Sequence, residues 1–376
     1  FAVSTVSKIN NLDELGAHFI KQKRTFSETS QGNVNPTELV AMLISEGQDF
    51  VSGIENVFEK VKGTCSVMIN TSNGIIIGRD RLGRTPIILG KKEDAFAATF
   101  ETCAFSNLGY ETEKYLGPGE VVRLTAEGYE QLRKPNEKMQ ICAFLWVYYG
   151  YPPSNYEGIN VDECRYKCGA ALAKRDQLEA DFVAGIPDSG VGHAMGYSNE
   201  TGIPLKRPYS KYTPTWPRSF MPQNQETREL VARMKLLPNQ RVIRGNKGIF
   251  LDDSIVRGTQ LKDNVKDLHD AGIEEIHMRI ACPPLTHPCE FLNFSRSRSN
   301  MDLATLKAVY KINGKEVDMK AYSDNTSDEY KAMVEQIRKT LGLTTLKFQN
   351  LEDLVKAIGL PKEKLCTHCW DGSGYS

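Results

Sequence analysis

Residues 250–259, FLDDSIVRGT, give the clearest indication of how the second half of this chain folds. An apolar run stops at two adjacent carboxylates, Asp252 and Asp253, and a short turn closed by Gly258 and Thr259 follows. KGIFLDD predicts a buried strand, and TQLKDNVKDLHDAG predicts a helix because its apolar residues recur at helical spacing. Two acids buried at the end of a strand are costly unless they hold something. The stretch therefore predicts a binding site at a strand-to-helix turn.

The same order of strand, turn and helix occurs upstream. ADFVAGIP predicts a strand, DSG at 188–190 a turn, and the following residues a helix that stops at Gly202. IEEIHMRIAC predicts a further strand after the second helix. Two such units predict a parallel sheet with right-handed crossovers, in which ligands bind beyond the carboxyl ends of the strands. Both turns should therefore lie at the ligand-binding edge.

The residues of the two turns suit a sugar phosphate. Backbone N–H groups in a turn and at a helix N-terminus bind phosphate. Gly258 lets the backbone approach closely, and Thr259 adds a hydroxyl donor. The acid pair suits vicinal hydroxyls or a hard cation, since Mg²⁺ prefers carboxylate oxygen together with substrate phosphate. The alternative is that the two acids merely cap the helix.

Composition excludes several classes of partner and location. The chain has 376 residues, enough for two domains, and Lys plus Arg equal Asp plus Glu at 47 each. With a net charge of zero, the chain has no overall positive electrostatic potential that would attract nucleic acid or an anionic membrane. No uninterrupted apolar stretch of 18 residues and no secretory signal is visible. Nine cysteines, an odd number, favour thiols or metal ligands in a reducing, cytoplasmic compartment. The absence of an initiating Met suggests a processed or incomplete chain.

The first half has a different pattern. Apolar spacing predicts helices over 12–24, 36–46 and 53–62. The runs SVMIN, GIIIG, PIILG and AFAATF predict strands separated by turns. The polar stretch QLRKPNEKMQ predicts a linker. The chain should therefore be α+β in its first half and α/β in its second.

Several long motifs resemble one family. IPDSG, GYSNETGIP, PRSFMPQNQETRELVARMKL, DDSIVRGT and RIACPPLTHPCEF occur in the order found in glutamine phosphoribosylpyrophosphate amidotransferases, which catalyse the first committed step of purine synthesis. The resemblance implies a partial glutaminase domain of the N-terminal-nucleophile-hydrolase type over 1–133. It implies a type I phosphoribosyltransferase domain with a parallel sheet over 141–350, and a C-terminal segment with cluster ligands over 351–376.

The resemblance also implies the chemistry and the partners. Ammonia, free or derived from glutamine, would attack C1 of phosphoribosyl pyrophosphate (PRPP) to give 5-phosphoribosylamine and pyrophosphate. Purine nucleotides would be feedback inhibitors, and the chain would form a homo-oligomer. Two alternatives remain open, another type I phosphoribosyltransferase and a catalytically silent PRPP-binding or regulatory paralogue.

Site residues follow from matching positions. The resemblance assigns Mg²⁺ to Ser189, Asp252 and Asp253, and phosphate contacts to a loop over 217–235. The catalytic residues would be Asp252, Asp253, Arg257 and Lys235, and the PRPP-binding residues Ser189, Gly190, Arg218, Ser254, Gly258 and Thr259. A solvated helix face is the alternative for Arg218 and Lys235.

Cysteine spacing supplies a second signal. Cys366 and Cys369 form a C-x-x-C pair, which zinc, redox and structural sites share. In family members with a [4Fe–4S] cluster, two ligands come from such a pair and two from positions that match Cys142 and Cys289. The resemblance therefore implies a [4Fe–4S] cluster, with a Cys₄ zinc site or four buried thiols as alternatives.

The first half departs from the family pattern. The nucleophile of the glutaminase is an N-terminal Cys, and this chain begins with Phe1. The family's oxyanion Asn-Gly pair falls on Val6 and Ser7, and the Asp that binds glutamine falls on Pro36. Standard glutamine binding should therefore be lost, so glutaminase activity of this chain is doubtful. Either a segment with the nucleophile is missing from this chain, or this half is a structural remnant.

Overall fold

The fold comes from a computed structural model that describes residues 1–30, 33–211, 236–292 and 302–374. We call residues 1–140 the N-terminal half and residues 141–374 the C-terminal half. The elements of the N-terminal half are β1 (Ala2–Ile9), α1 (Leu12–Lys21), β2 (Thr29–Ser30), β3 (Asn33–Val34), α2 (Pro36–Ser45), α3 (Phe50–Lys60), β4 (Gly63–Thr71), β5 (Gly74–Gly78), β6 (Ile88–Lys92), β7 (Ala95–Thr99), α4 (Cys103–Leu108), β8 (Glu111–Tyr115), β9 (Val121–Leu124) and β10 (Tyr129–Arg133).

Antiparallel strands form the N-terminal half. A five-stranded sheet has the order β1-β4-β5-β9-β10, and a second sheet has the order β7-β6-β8. Helices α2 and α3 cover the first sheet, with Leu43, Ile54 and Val67 fully buried between them. Pro36 occupies the first turn of α2, where its missing N–H costs nothing. The predicted helices and hairpins are thus confirmed, with boundaries shifted by a few residues.

The predicted linker begins as a strand. Gln131 and Arg133 belong to β10, which pairs antiparallel with β9 at the edge of the sheet. An edge strand can carry polar side chains toward solvent, and for this reason its sequence reads as a linker. The connection between the halves is therefore shorter than the sequence predicts.

Helices and parallel strands alternate in the C-terminal half. Its elements are β11 (Ile141–Cys142), a π-helical turn (Leu145–Tyr149), β12 (Asn155–Tyr156), β13 (Ile159–Asn160), α5 (Val161–Lys174), β14 (Phe182–Gly185), α6 (Val191–Thr201), β15 (Tyr209–Lys211), β16 (Leu236–Pro238), α7 (Gln240–Ile243), β17 (Lys247–Asp252), α8 (Thr259–Asp270), β18 (Glu275–Ile280), α9 (Ala304–Asn313), α10 (Lys320–Ser323), α11 (Asp328–Leu341), β19 (Thr345–Phe348), α12 (Leu351–Ile358), a 3₁₀ turn (Lys362–Lys364), β20 (Leu365–Cys366) and α13 (His368–Asp371).

The predicted parallel sheet is confirmed. Its strands run in the order β14-β17-β18-β19, and every neighbouring pair is parallel. Ile249, Phe250 and Leu251 of β17 are fully buried because helices cover both faces of the sheet. Strand β17 lies between two neighbours, so the acid pair at its end stands near the middle of the carboxyl edge.

A separate strand pair ties the C-terminal tail to the start of the C-terminal half. Strands β11 and β20 are parallel, with Ile141 opposite Leu365 and Cys142 opposite Cys366. Among the described residues, no helix is long and apolar enough to cross a membrane.

Candidate active site and cysteine cavity

The acid pair closes strand β17. Asp252 is half-buried and Asp253 is 6% exposed. Burial, followed by the charge of Asp253, raises the pKa of Asp252 well above its ordinary value. Burial also raises the pKa of Asp253. Two acids so close together in a buried site repel each other when both are ionised, so the pair needs a compensating positive charge. A bound cation would meet the same need, so this is a site prepared for positive charge.

The upstream turn meets the acid pair, as the sequence predicts. The side chain of Ser189 hydrogen-bonds to Asp253, and so does the hydroxyl of Ser254. Gly190 makes this approach possible, because a Cβ there would lie 2.2 Å from the carbonyl oxygen of Leu251. The two strand-to-helix turns therefore face one another at one edge of the sheet.

The turn after the acid pair leads directly into α8. Gly258 has a φ of 75°, a left-handed conformation that favours glycine, and Thr259 is the first residue of the helix. Arg257 is about half exposed, and its Nη2 lies 3.8 Å from Asp302 Oδ2. The predicted phosphate-binding residues thus surround an exposed helix N-terminus next to the acids.

Two predicted residues lie outside the described residues. Arg218 and Lys235 belong to the 212–235 segment, which the structure does not describe. Close to that segment, Lys211 Nζ donates to Asp188 Oδ2 at 2.6 Å.

Arg165 is a site residue that the sequence did not single out. It lies on α5 and is 3% exposed, and it donates to the carbonyl oxygens of Trp146 at 3.0 Å and Gly150 at 2.8 Å. Its positive charge opposes the rise in the pKa of Asp253. A lone Arg in an ordinary amphipathic helix gives no sequence signal, because only the packing of α5 brings it to the acid pair.

The four predicted cysteine ligands line one cavity. Cys142, Cys289, Cys366 and Cys369 enclose a space of about 10 Å³ together with Phe144, Phe291, Leu292, Trp370 and Arg84. Burial raises the pKa of Cys142 well above its ordinary value, as do its neighbours Cys366 and Cys289. A hydrogen bond with Cys289, then burial, does the same for the pKa of Cys369. Neutral thiols are therefore favoured until a cation compensates the thiolates.

Within the described ranges, no group of three or more His, Cys, Asp or Glu side chains is arranged to hold a single metal ion. The remaining cysteines are also thiols, and five of the nine are buried.

Val6 and Pro36, which the resemblance aligns with glutamine-site residues, are neighbours in space. Val6 lies on β1 and is 38% exposed, and Pro36 opens α2. Thr5 Oγ1 and Thr37 Oγ1, one residue from each, are 2.8 Å apart. Asn35 accepts from the backbone N–H of Thr37 at 2.9 Å, so this segment serves as a helix cap. Val6 offers no hydrogen bond to an oxyanion, and Pro36 offers no carboxylate.

Comparisons with known proteins agree on one family. No family model matches the chain. The chain is 32% identical over 337 residues to the amidophosphoribosyltransferase of Bacillus subtilis. This alignment covers 88% of this chain and 65% of that protein. It is 31% identical over 372 residues to the amidophosphoribosyltransferase of Methanothermobacter thermautotrophicus. This alignment covers 99% of this chain and 73% of that protein. The chain thus spans about two thirds to three quarters of the length of these relatives.

Solved structures give the same result. The glutamine PRPP amidotransferase from B. subtilis complexed with ADP and GMP has a TM-score of 0.83 and 31% identity, covering 99% of this chain and 76% of that one. A structure described as the allosteric regulatory enzyme of purine biosynthesis has a TM-score of 0.81 and 29% identity. These likenesses confirm the resemblance and the two-part fold that the sequence predicts.

Proposed function

The chain belongs to the amidophosphoribosyltransferase family, and from this premise we propose that it transfers an amino group from free or glutamine-derived ammonia to C1 of PRPP. The products are 5-phosphoribosylamine and pyrophosphate. The observation that carries the proposal is the pair of adjacent acids at the end of β17, half-buried Asp252 and buried Asp253, with Ser189 of the neighbouring turn bonded to Asp253.

Three residues are proposed to hold Mg²⁺. Asp252, Asp253 and Ser189 offer oxygen atoms, which this cation prefers. The burial and mutual repulsion of the two acids support the assignment, because a divalent cation would compensate both and leave them as carboxylates. When bound, Mg²⁺ would neutralise charge on the pyrophosphate leaving group.

The surrounding turns are proposed to hold the substrate. The 5-phosphate would bind at the N-terminus of α8, with Arg257, Gly258 and Thr259 contributing charge, backbone N–H groups and a hydroxyl. Gly190 and Ser254 would contact PRPP next to the acids. We assign contacts with its phosphates to Arg218 and Lys235.

The protein contributes to the reaction by positioning the substrates and stabilising charge, and not by forming a covalent bond to them. The bond from C1 to pyrophosphate breaks with its electron pair leaving on oxygen, and the nitrogen lone pair forms the new bond to C1 from the opposite face. A proton then leaves the nitrogen. Cationic side chains stabilise the departing pyrophosphate, and exclusion of water prevents hydrolysis of PRPP.

The four cysteines are proposed to hold a [4Fe–4S] cluster. Four thiols from three separate segments on one cavity are a suitable donor set, because each iron of the cluster takes one thiolate. When bound, the cluster would cross-link the tail to the body of the C-terminal half. The four thiols would have to move apart to admit it.

Inhibition by nucleotides, the domain limits and the oligomeric state are proposed because the chain belongs to this family. We infer that purine nucleotides inhibit the chain, supported by the relative solved with ADP and GMP. The domain limits 1–133, 141–350 and 351–376 and the homo-oligomer remain predictions, as does the reducing compartment.

One assay tests the proposal. Protein purified without oxygen should release pyrophosphate from Mg-PRPP in the presence of ammonium chloride. Tight PRPP binding without turnover would overturn the proposal in favour of a silent paralogue. A second arm supplies glutamine instead, and we expect little or no turnover because Val6 and Pro36 stand at the glutamine positions.

A further inference from the structure

Arg84 of the N-terminal half reaches into the cysteine cavity of the C-terminal half. We propose that it is a positioning residue that fixes three cysteine segments relative to each other and supplies the cavity's compensating positive charge. The inference rests on the cluster proposed above and assigns a role to an N-terminal half whose glutamine positions are altered.

Arg84 is itself rigidly held. The side chain is 2% exposed. Its backbone N–H donates to Asp80 Oδ1 at 2.6 Å, and its Nη2 donates to Gln140 Oε1 at 3.0 Å. The backbone of Arg84 is fixed by Asp80 and its buried guanidinium by Gln140, so the residue can serve as a fixed point for other groups.

One residue contacts all three segments that carry the cysteines. The carbonyl oxygen of Arg84 accepts from the N–H of Cys142 at 3.1 Å. Its guanidinium carbon lies 3.6 Å from the ring centroid of Phe291, two residues after Cys289. The guanidinium also hydrogen-bonds to the side chain of Cys366. The tail also pairs directly with the other two segments, because Ala143 N–H donates to Cys366 and His287 N–H to Cys369, so Arg84 adds a second tie from the N-terminal half.

Further contacts from the N-terminal half hold the segment after Cys289. The hydroxyl of Thr64 donates to the carbonyl oxygen of Phe291 at 2.5 Å in a buried position. The side chain of Asn10 donates to the carbonyl oxygen of Glu290 at 2.9 Å. The N-terminal half therefore acts as a clamp on this segment, whether or not glutamine is used.

The charge of Arg84 matters as much as its position. Among the described residues that line the cavity, Arg84 is the only Lys, Arg, Asp or Glu. A guanidinium stays protonated under all physiological conditions, whereas a cluster with four thiolates carries net negative charge. Nearby positive charge and hydrogen bonds to sulfur favour the reduced cluster, because reduction adds negative charge.

The test compares three variants with a matched control after anaerobic reconstitution with ferrous iron and sulfide. Arg84→Gln removes the charge, Arg84→Lys keeps it without the planar fork, and Thr64→Val removes one clamp contact at nearly constant volume. The control is Arg81→Gln, because Arg81 is exposed and lines a neighbouring cavity of about 540 Å³ but not the cysteine cavity. The readouts are the midpoint potential of the cluster and the rate at which an iron chelator bleaches it.

We expect Arg84→Gln to shift the potential to more negative values and to speed bleaching several-fold. Arg84→Lys should keep a potential closer to that of the unaltered protein yet bleach faster, and Thr64→Val should only bleach faster. A folded Arg84→Gln protein with unaltered potential and bleaching rate would overturn the inference. If Arg84→Gln does not fold, unchanged bleaching of both Arg84→Lys and Thr64→Val overturns it. Unaltered protein that takes up no iron and sulfide refutes the cluster instead.

Discussion

Cys142 and Cys366 lie directly opposite each other on the parallel strands β11 and β20. Their alignment is set by backbone pairing, so the tail is registered against the start of the C-terminal half independently of any thiol chemistry. The C-x-x-C pair therefore reaches the cavity as part of a strand and the short helix that follows.

This register predicts the effect of removing one thiol. Cys366→Ser should lose most of its bound iron and sulfide after reconstitution, because three thiolates leave one iron without its protein ligand. Iron and sulfide analysis per chain, with visible absorbance, measures it. Cys103→Ser is the control, since Cys103 lies on α4 and outside the cavity. Full iron and sulfide in Cys366→Ser would contradict the ligand assignment.

Asp253 gives a prediction for catalysis. Asp253→Asn should lower kcat/KM for PRPP by ~100-fold or more, because an amide cannot supply the negative charge that holds a cation against the leaving group. Pyrophosphate release with ammonium chloride measures the loss. The control Asp263→Asn changes an exposed acid on α8. Equal kinetics of both variants and the unaltered protein would remove Asp253 from the site.

The sequence predicts the two turns and misses what supports them. The apolar spacing of FLDDSIVRGT and its Gly258 predict a strand, a turn and the start of a helix. The structure of this stretch therefore depends on residues that are close together in the sequence. Arg165 and Arg84 act across packed elements, and nothing in their own segments indicates which acid or thiol they will meet. The cysteine cavity is only partly predictable from the sequence. The C-x-x-C spacing identifies Cys366 and Cys369, whereas only the resemblance identifies Cys142 and Cys289.

The contacts that Arg165 makes across packed elements can be tested by substitution. Arg165→Met should lower the free energy of unfolding by about 3 kcal/mol, because the buried carbonyl oxygens of Trp146 and Gly150 and the partly buried one of Tyr148 lose their donor. It should also weaken Mg-PRPP binding, since the pKa of Asp253 loses a neighbouring positive charge that lowers it. Urea unfolding and PRPP binding by calorimetry measure the two effects. Lys167→Met, an exposed position on the same helix, should change neither. An Arg165→Met protein as stable as that control would contradict the account.

His193 predicts how stability depends on pH. Burial, with the charge of Arg165 next, lowers the pKa of His193 to about 3. The neutral ring is therefore the folded form, whereas the unfolded chain takes up a proton near the ordinary pKa of about 6.5. Stability from this residue is complete above that value and is lost as pH falls toward the folded pKa.

Between pH 7.5 and pH 5 the loss from His193 should be about 2 kcal/mol, since each unit of separation is worth about 1.4 kcal/mol. Urea unfolding at several pH values measures it. His193→Gln should lack this share of the pH dependence, because an amide offers N–H groups toward the facing carbonyl oxygens of Arg165 and Val147 and does not titrate. His269→Gln, an exposed histidine on α8, should keep the full dependence. If both variants lose stability in parallel with the unaltered protein, the acid sensitivity lies in other groups.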